Sequence, residues 1–231
     1  MSGVDLNLVD GAWPFAVENE RAIAEHWERR RRGSPGFFNG VVYVLVAYSV
    51  SEDGILSGRL VRTDFRSNLY WRETGWRDAS VMDAFASALI FSAEGHLLVG
   101  RQRAGNLNSG LCYPPGGFLD AQDIAADGRI DIDASAARET AEEAGLSPSH
   151  LGRAGDYVIA MVGGLMSIGV PFRSRLSGAA LLAEATRHIA DDAESEVAEF
   201  LLVRPGEAHT LPMPDYSRVM IAQLPDLKTP A

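Results

Sequence analysis

The chain has 231 residues, of which 46% are hydrophobic and 23% charged, with a formal net charge of −10. That length suits one large domain, or one domain with a substantial extension. The negative balance argues against broad electrostatic binding to nucleic acid, and any anionic ligand would need local help from arginines or a cation. No apolar run approaches the roughly 20 residues of a membrane span, and the polar N-terminus does not resemble a signal peptide. The single cysteine, Cys112, excludes an intrachain disulfide. Together these features predict a cytoplasmic protein with no membrane partner.

In chain order, "ENERAIAEHWERRRR" (18–32) reads as a helix with Ile23 and Trp27 turned to a core. Its run Arg29 to Arg32 suits a helix C-terminus, where cations complement the dipole. "GSPGFFNG" breaks the chain, and "VVYVLVAYSV" and "ILSGRLVRT" around an "EDG" turn predict a hairpin over 41–63. Phe38 and Trp27 are expected in the core, and "DFRSNLYWRETG" reads as irregular and aromatic-rich. Tyr70 and Trp71 there suit core packing better than stacking on a ligand. Residues 1–80 form an N-terminal extension and 81–231 the main domain.

"FASALIFS" and "HLLVGRQR" predict two strands joined by a short turn, followed by glycine-rich "AGNLNSGLCYPPGGF". Cys112 has no basic cluster around it and is expected to be inert. The acidic stretch 120–133 reads as a mobile, solvated loop. A helix follows over 134–144, N-capped by Asp133 and stopped by Gly145 and Pro148. Strands near 157–162 and 166–173, a helix near 178–190, the strand "VAEFLLV" and a short helix near 215–223 complete the pattern.

The helix over 134–144 carries Glu139, Glu142 and Glu143 at i, i+3 and i+4. At about 100° per residue, their carboxylates share one face. Like charges at that spacing cost a few tenths of a kcal/mol per pair, so helix stability does not account for them. A divalent cation would turn the repulsion into attraction.

The segment "RETAEEAGL" (138–146) resembles the second half of the Nudix box, G-x5-E-x7-R-E-U-x-E-E-x-G-U, where U is bulky and apolar. "PPGGF" with Gly116 and Gly117 resembles its opening. Thr140 occupies a position where an aliphatic is usual. Arg138 stands 21 residues after Gly117 (138 − 117), about seven more than the pattern allows, and Ile130 occupies the place of its first glutamate. Asp120, Asp123, Asp131 and Asp133 are candidates to replace it.

The resemblance implies an α+β fold: a Nudix-type α/β/α sandwich around a mixed sheet, with an N-terminal extension holding a helix and a β-hairpin. It implies hydrolysis of a nucleoside diphosphate linked to another group, with Mg²⁺ or Mn²⁺ as cofactor. Glu139, Glu142 and Glu143, together with Gly117, would form the metal site, and Arg138 would orient a ligand glutamate. Arg101, Arg103 and Gly116 would contact the diphosphate. Many relatives use a further glutamate outside the box as ligand or base. Glu196 in "ESEVAEFLLV" is the choice, with Glu194, Glu199 and Glu184 as rivals.

The N-terminal extension resembles the UDP-glucose pyrophosphatase branch, which points to a UDP-sugar cleaved to UMP and sugar 1-phosphate. The competing readings are a coenzyme A or ADP-ribose diphosphatase, and a non-catalytic Nudix-fold nucleotide-binding or regulatory protein. The expected partner is a small molecule linked through a nucleoside diphosphate, with no nucleic acid. A homodimer is compatible with this reading.

Overall fold

The computed structural model describes residues 1–34, 36–147, 149–204, 207 and 210–224. The predicted stop at Pro148 and the proline of "GSPGFFNG", Pro35, lie outside them. The fold is mixed α+β and divides into two compact units. One comprises Met1–Phe85, Phe118–Asp131 and Val162–Met166, and the other Ala86–Gly117, Ile132–Met161 and Ser167–Ala231. Among the described residues, no helix is long and apolar enough to cross a membrane.

In the first unit, β1 (Gly3–Leu8) precedes α1 (Pro14–Glu18) and α2 (Glu20–Gly33). The expected hairpin forms from β2 (Val41–Val50) and β3 (Ile55–Asp64), paired antiparallel with an irregularity between Leu45 and Ala47. The short β1, not foreseen, runs parallel to β3. Ile23 and Trp27 are buried as predicted. Phe38 is not: it is 81% exposed, because Phe37 rather than Phe38 stacks on Trp27 and meets Phe65 edge-on.

"DFRSNLYWRETG" is helical rather than irregular, forming α3 (Phe65–Glu73). The backbone N–H of Ser67 donates to the Asp64 carboxylate at 3.0 Å, which satisfies one of the orphan donors of the first turn. Trp71 is fully buried, and its indole N–H donates to the Asp78 carbonyl at 3.0 Å. The Trp13 indole reaches the Asp78 carboxylate at 2.8 Å, so one short loop satisfies both indoles of this core.

The acidic stretch is also built in rather than a loop throughout. Asp120 and Asp123 form a capping box around a 3-10 helix (Ala121–Asp123), and β8 (Arg129–Ile130) pairs antiparallel with β1. Ile124 and Ile130 form an isolated bridge within this segment, a pairing too short to give a periodic signal.

The second unit is organised on a sheet of order β10-β11-β4-β5-β12, from β4 (Asp83–Phe91), β5 (Leu97–Gln102), β10 (Val158–Val162), β11 (Leu165–Ser174) and β12 (Val197–Val203). The short strands β6 (Cys112–Tyr113), β7 (Gly116–Phe118) and β9 (Leu151–Arg153) pair with β5, β4 and β11 respectively. The helices are α4 (Ile132–Ala144), α5 (Gly178–Asp191) and α6 (Asp215–Ile221). A core of Leu89, Leu97, Val99, Cys112, Val203 and Met220 lies between sheet and α6. Cys112 is fully buried, and burial pushes its thiol pKa up, in line with its expected inertness.

Asp64 generates the first prediction. Burial opposes its ionisation, but donors from Ser67, Asn39 and Arg66 outweigh that and hold its carboxyl below the usual range. A depressed carboxyl stabilises the fold above its unfolded pKa and loses that contribution as pH falls through the folded value. Asp64→Ala should therefore cost about 1–2 kcal/mol at neutral pH in urea unfolding. The difference from wild type should shrink once the pH falls below about 4.

Candidate functional site

α4 begins at Ile132, two residues before the expected start, so Asp133 lies in its first turn rather than capping it. The Asp133 carboxylate instead takes Arg153 Nε at 2.5 Å and the Tyr157 hydroxyl. Ile132, Ser135, Ala136, Glu139, Thr140 and Ala144 form the buried stripe at helical spacing. Thr140, at the position where an aliphatic is usual, is fully buried and donates its hydroxyl to the Ala136 carbonyl at 2.8 Å. Gly145 ends the helix with φ +65°, and its N–H reaches the Ala141 carbonyl at 3.1 Å.

This stripe separates the three glutamates. Glu139 faces inward and is 8% exposed, Glu143 is half-buried, and Glu142 stands in solvent. Arg138 bridges two of them, with Nη1 at 2.8 Å from Glu139 and 3.1 Å from Glu142. Burial pushes the Glu143 carboxyl well above the usual carboxylate range, and the charges of Glu139, Glu196 and Glu142 push the same way. The Gly116 backbone N–H donates to it and works in the opposite direction. The charge of Glu196, the choice for the outside glutamate, bears on Glu143. Glu199 is paired with Arg101 at 2.5 Å, and Glu184 with Arg187 on α5.

The glycine pair serves this arrangement by absence of bulk, not by an unusual turn. Neither Gly116 nor Gly117 has a positive φ. A Cβ on Gly117 would lie 2.5–2.7 Å from the Glu139 carboxylate atoms, and one on Gly116 would lie 2.3 Å from the Ala86 carbonyl oxygen. Gly117 thus leaves room for a carboxylate, and Gly116 for a neighbouring backbone.

Arg101 and Arg103 are engaged within the protein. Arg101 donates to Glu199 and, at 3.1 Å, to the Gly110 carbonyl. Arg103 Nη1 donates to the Ala193 carbonyl at 3.0 Å, and its backbone N–H to the Glu196 carbonyl at 2.7 Å, which ties down the loop bearing Glu196. One buried group near the carboxylates was missed in the sequence. The Tyr113 phenol is held protonated, first by burial and then by Glu143, Tyr216 and Glu196. Its signal was its place in "CYPPGGF", directly before the glycines.

Among the described residues, no three His, Cys, Asp or Glu side chains already converge as a ready-made metal cage. The donor chemistry nevertheless suits a hard cation. Glu139 and Glu143 offer carboxylate oxygens, Glu196 is near enough for its charge to bear on Glu143, and Gly117 leaves the room that the Glu139 carboxylate fills. A single methyl group tests each glycine. Gly116→Ala should lower stability by about 1–3 kcal/mol in urea unfolding, because backbone must move. Gly117→Ala, which displaces only a side chain, should weaken Mn²⁺ binding in calorimetry by about tenfold or more at smaller stability cost.

No curated protein matches the chain. Among solved structures, the chain is similar to the Nudix hydrolase RenU from M. smegmatis at 16% identity, over 75% of this chain and 88% of that one, with a TM-score of 0.42. It is similar to the NUDIX domain of Shewanella oneidensis NrtR, complexed with ADP ribose, at 15% identity over 60% and 84%, with a TM-score of 0.39. A bifunctional NMN adenylyltransferase/ADP ribose pyrophosphatase from Francisella tularensis is similar at 14% identity over 67% and 44%, with a TM-score of 0.44. Residues 83–224 match the NUDIX domain, which is more than half of the chain, and the protein therefore belongs to the Nudix family.

Proposed function

We propose that the protein is a divalent-cation-dependent hydrolase that cleaves the phosphoanhydride of a nucleoside diphosphate linked to another group. The observation that carries this is the crowding of Glu139, Glu143 and Glu196. Burial first, and then the charges of Glu139, Glu196 and Glu142, raise the Glu143 carboxyl, a state that a cation would relieve. Glu139, Glu142 and Glu143 would hold Mg²⁺ or Mn²⁺, beside Gly117. The bound cation would neutralise the diphosphate and lower the pKa of a water.

The chain's own residues supply the rest. Arg138 fixes the rotamers of Glu139 and Glu142 through its two ion pairs. The Gly116 N–H orients the Glu143 carboxylate. Glu196, exposed at the end of the loop that Arg103 pins, would accept a proton from an attacking water. Arg101 would reach a phosphate by exchanging its Glu199 partner for a more highly charged one. Arg103 and Gly116 complete the diphosphate-binding set.

For substrate we propose a UDP-sugar cleaved to UMP and sugar 1-phosphate, the ligand class of the branch that the N-terminal extension resembles. Full burial of Trp71, with Tyr70 9% exposed, commits both rings to the core. Residues 1–80 are then a substrate-conferring extension and 81–231 the hydrolase domain. We further propose a cytoplasmic protein, compatible with a homodimer, whose partner is a small molecule and not nucleic acid. One observation favours the second reading, a non-catalytic nucleotide-binding protein: Arg138 occupies both Glu139 and Glu142.

A Mg²⁺-dependent screen over UDP-glucose, ADP-ribose and coenzyme A separates these. UDP-glucose should be cleaved with the highest kcat/KM, and Glu142→Gln or Glu143→Gln should cut turnover by about two orders of magnitude or more with the fold retained. A rival preferred by about tenfold refutes the sugar and leaves the diphosphatase. Binding without turnover, or turnover in excess chelator, refutes the catalytic reading.

A further inference from the structure

His188, on α5, lies 46 residues from Glu142 in the chain, yet its ring closes the end of α4. An α-helix leaves its last four carbonyls without intrahelical partners. In α4 these belong to Ala141, Glu142, Glu143 and Ala144. The Gly145 N–H takes the Ala141 carbonyl at 3.1 Å, and the Leu146 N–H reaches back to Thr140 at 3.4 Å. The Glu142 carbonyl is met from outside, by His188 Nε2 at 2.8 Å. Since a carbonyl only accepts, Nε2 carries the hydrogen in this contact.

The ring also fills the space beside Gly145. A Cβ there would lie 2.6 Å from His188 Cγ and 2.7 Å from Nδ1, so the helix-stopping glycine and the imidazole are fitted to each other. The turn held in this way is the one that bears Glu142 and Glu143. α4 and α5 pack directly, which gives His188 a rigid base from which to act.

We infer that His188 is a positioning residue: it fixes the last turn of α4, and through it the carboxylates of Glu142 and Glu143 that would take a divalent cation. This rests on the metal-dependent reading proposed above. The role belongs to the hydrogen-bond donor at Nε2, and partners behind metal-binding side chains commonly change affinity by about 10–100-fold.

Glutamine and methionine have nearly the same length and shape, but only glutamine ends in an N–H donor where Nε2 lies. His188→Gln and His188→Met therefore share any loss of packing and differ in the hydrogen bond. Mn²⁺ alone, titrated calorimetrically into metal-free protein, should bind His188→Met about tenfold or more weakly than wild type, with His188→Gln within about threefold. Amide exchange at Gly145 and Leu146 should accelerate in the methionine variant and not in the glutamine variant. Wild-type Mn²⁺ affinity in His188→Met, or an equal fall in both variants, overturns the assignment. A wild-type protein that binds no Mn²⁺ refutes the parent reading instead, and the exchange comparison then decides alone whether His188 holds the turn.

Discussion

The ionisation of one half-buried carboxyl, Glu143, is the constraint on which the candidate site turns. Desolvation and like charge both disfavour the ionised form of Glu143. The protein supplies partial relief from its own atoms. Arg138 spans Glu139 and Glu142, and the Gly116 N–H points at Glu143. A bound cation would favour the ionised form of Glu143.

The elements around α4 serve this constraint. The buried stripe of the helix is built from small residues on either side of Glu139, which lets that face approach the glycine-bearing strand β7. Gly117 has no side chain to meet the Glu139 carboxylate, and Gly116 has none to meet the backbone at Ala86. Gly145 and His188 close the helix where Glu142 and Glu143 end it. Arg103 ties down the loop that carries Glu196. Backbone rigidity and small residues thus position the charged groups, as electrostatic preorganisation requires.

Much of this was legible in the amino-acid sequence where the signal was local. The i, i+3, i+4 spacing of the glutamates placed them on a helix, the glycine after Ala144 marked its end, and the alternation around "EDG" marked the hairpin of the first unit. What local pattern could not supply was burial direction. The spacing grouped Glu142 with Glu139 and Glu143, whereas the buried stripe leaves Glu142 in solvent. α3 was hidden because its aromatic residues mask the helical period, while the cue that starts it, Asp64, belongs to the preceding strand. β1 and β8 escaped notice because each depends on a partner distant in sequence. His188 carried no sequence signal, since its role exists only where α5 meets the end of α4. The choice between Phe37 and Phe38 for the core was likewise decided by ring contacts with Trp27 and Phe65.

The central claim is that the glutamates of α4, Glu143 among them, form a cation site. Calorimetric titration of Mn²⁺ into metal-free protein, near pH 6 and in buffers of different ionisation enthalpy, counts the protons displaced on binding. The account predicts net proton release in the wild-type protein and its loss in Glu143→Gln. Binding with no proton release, or with equal release in both proteins, would contradict it.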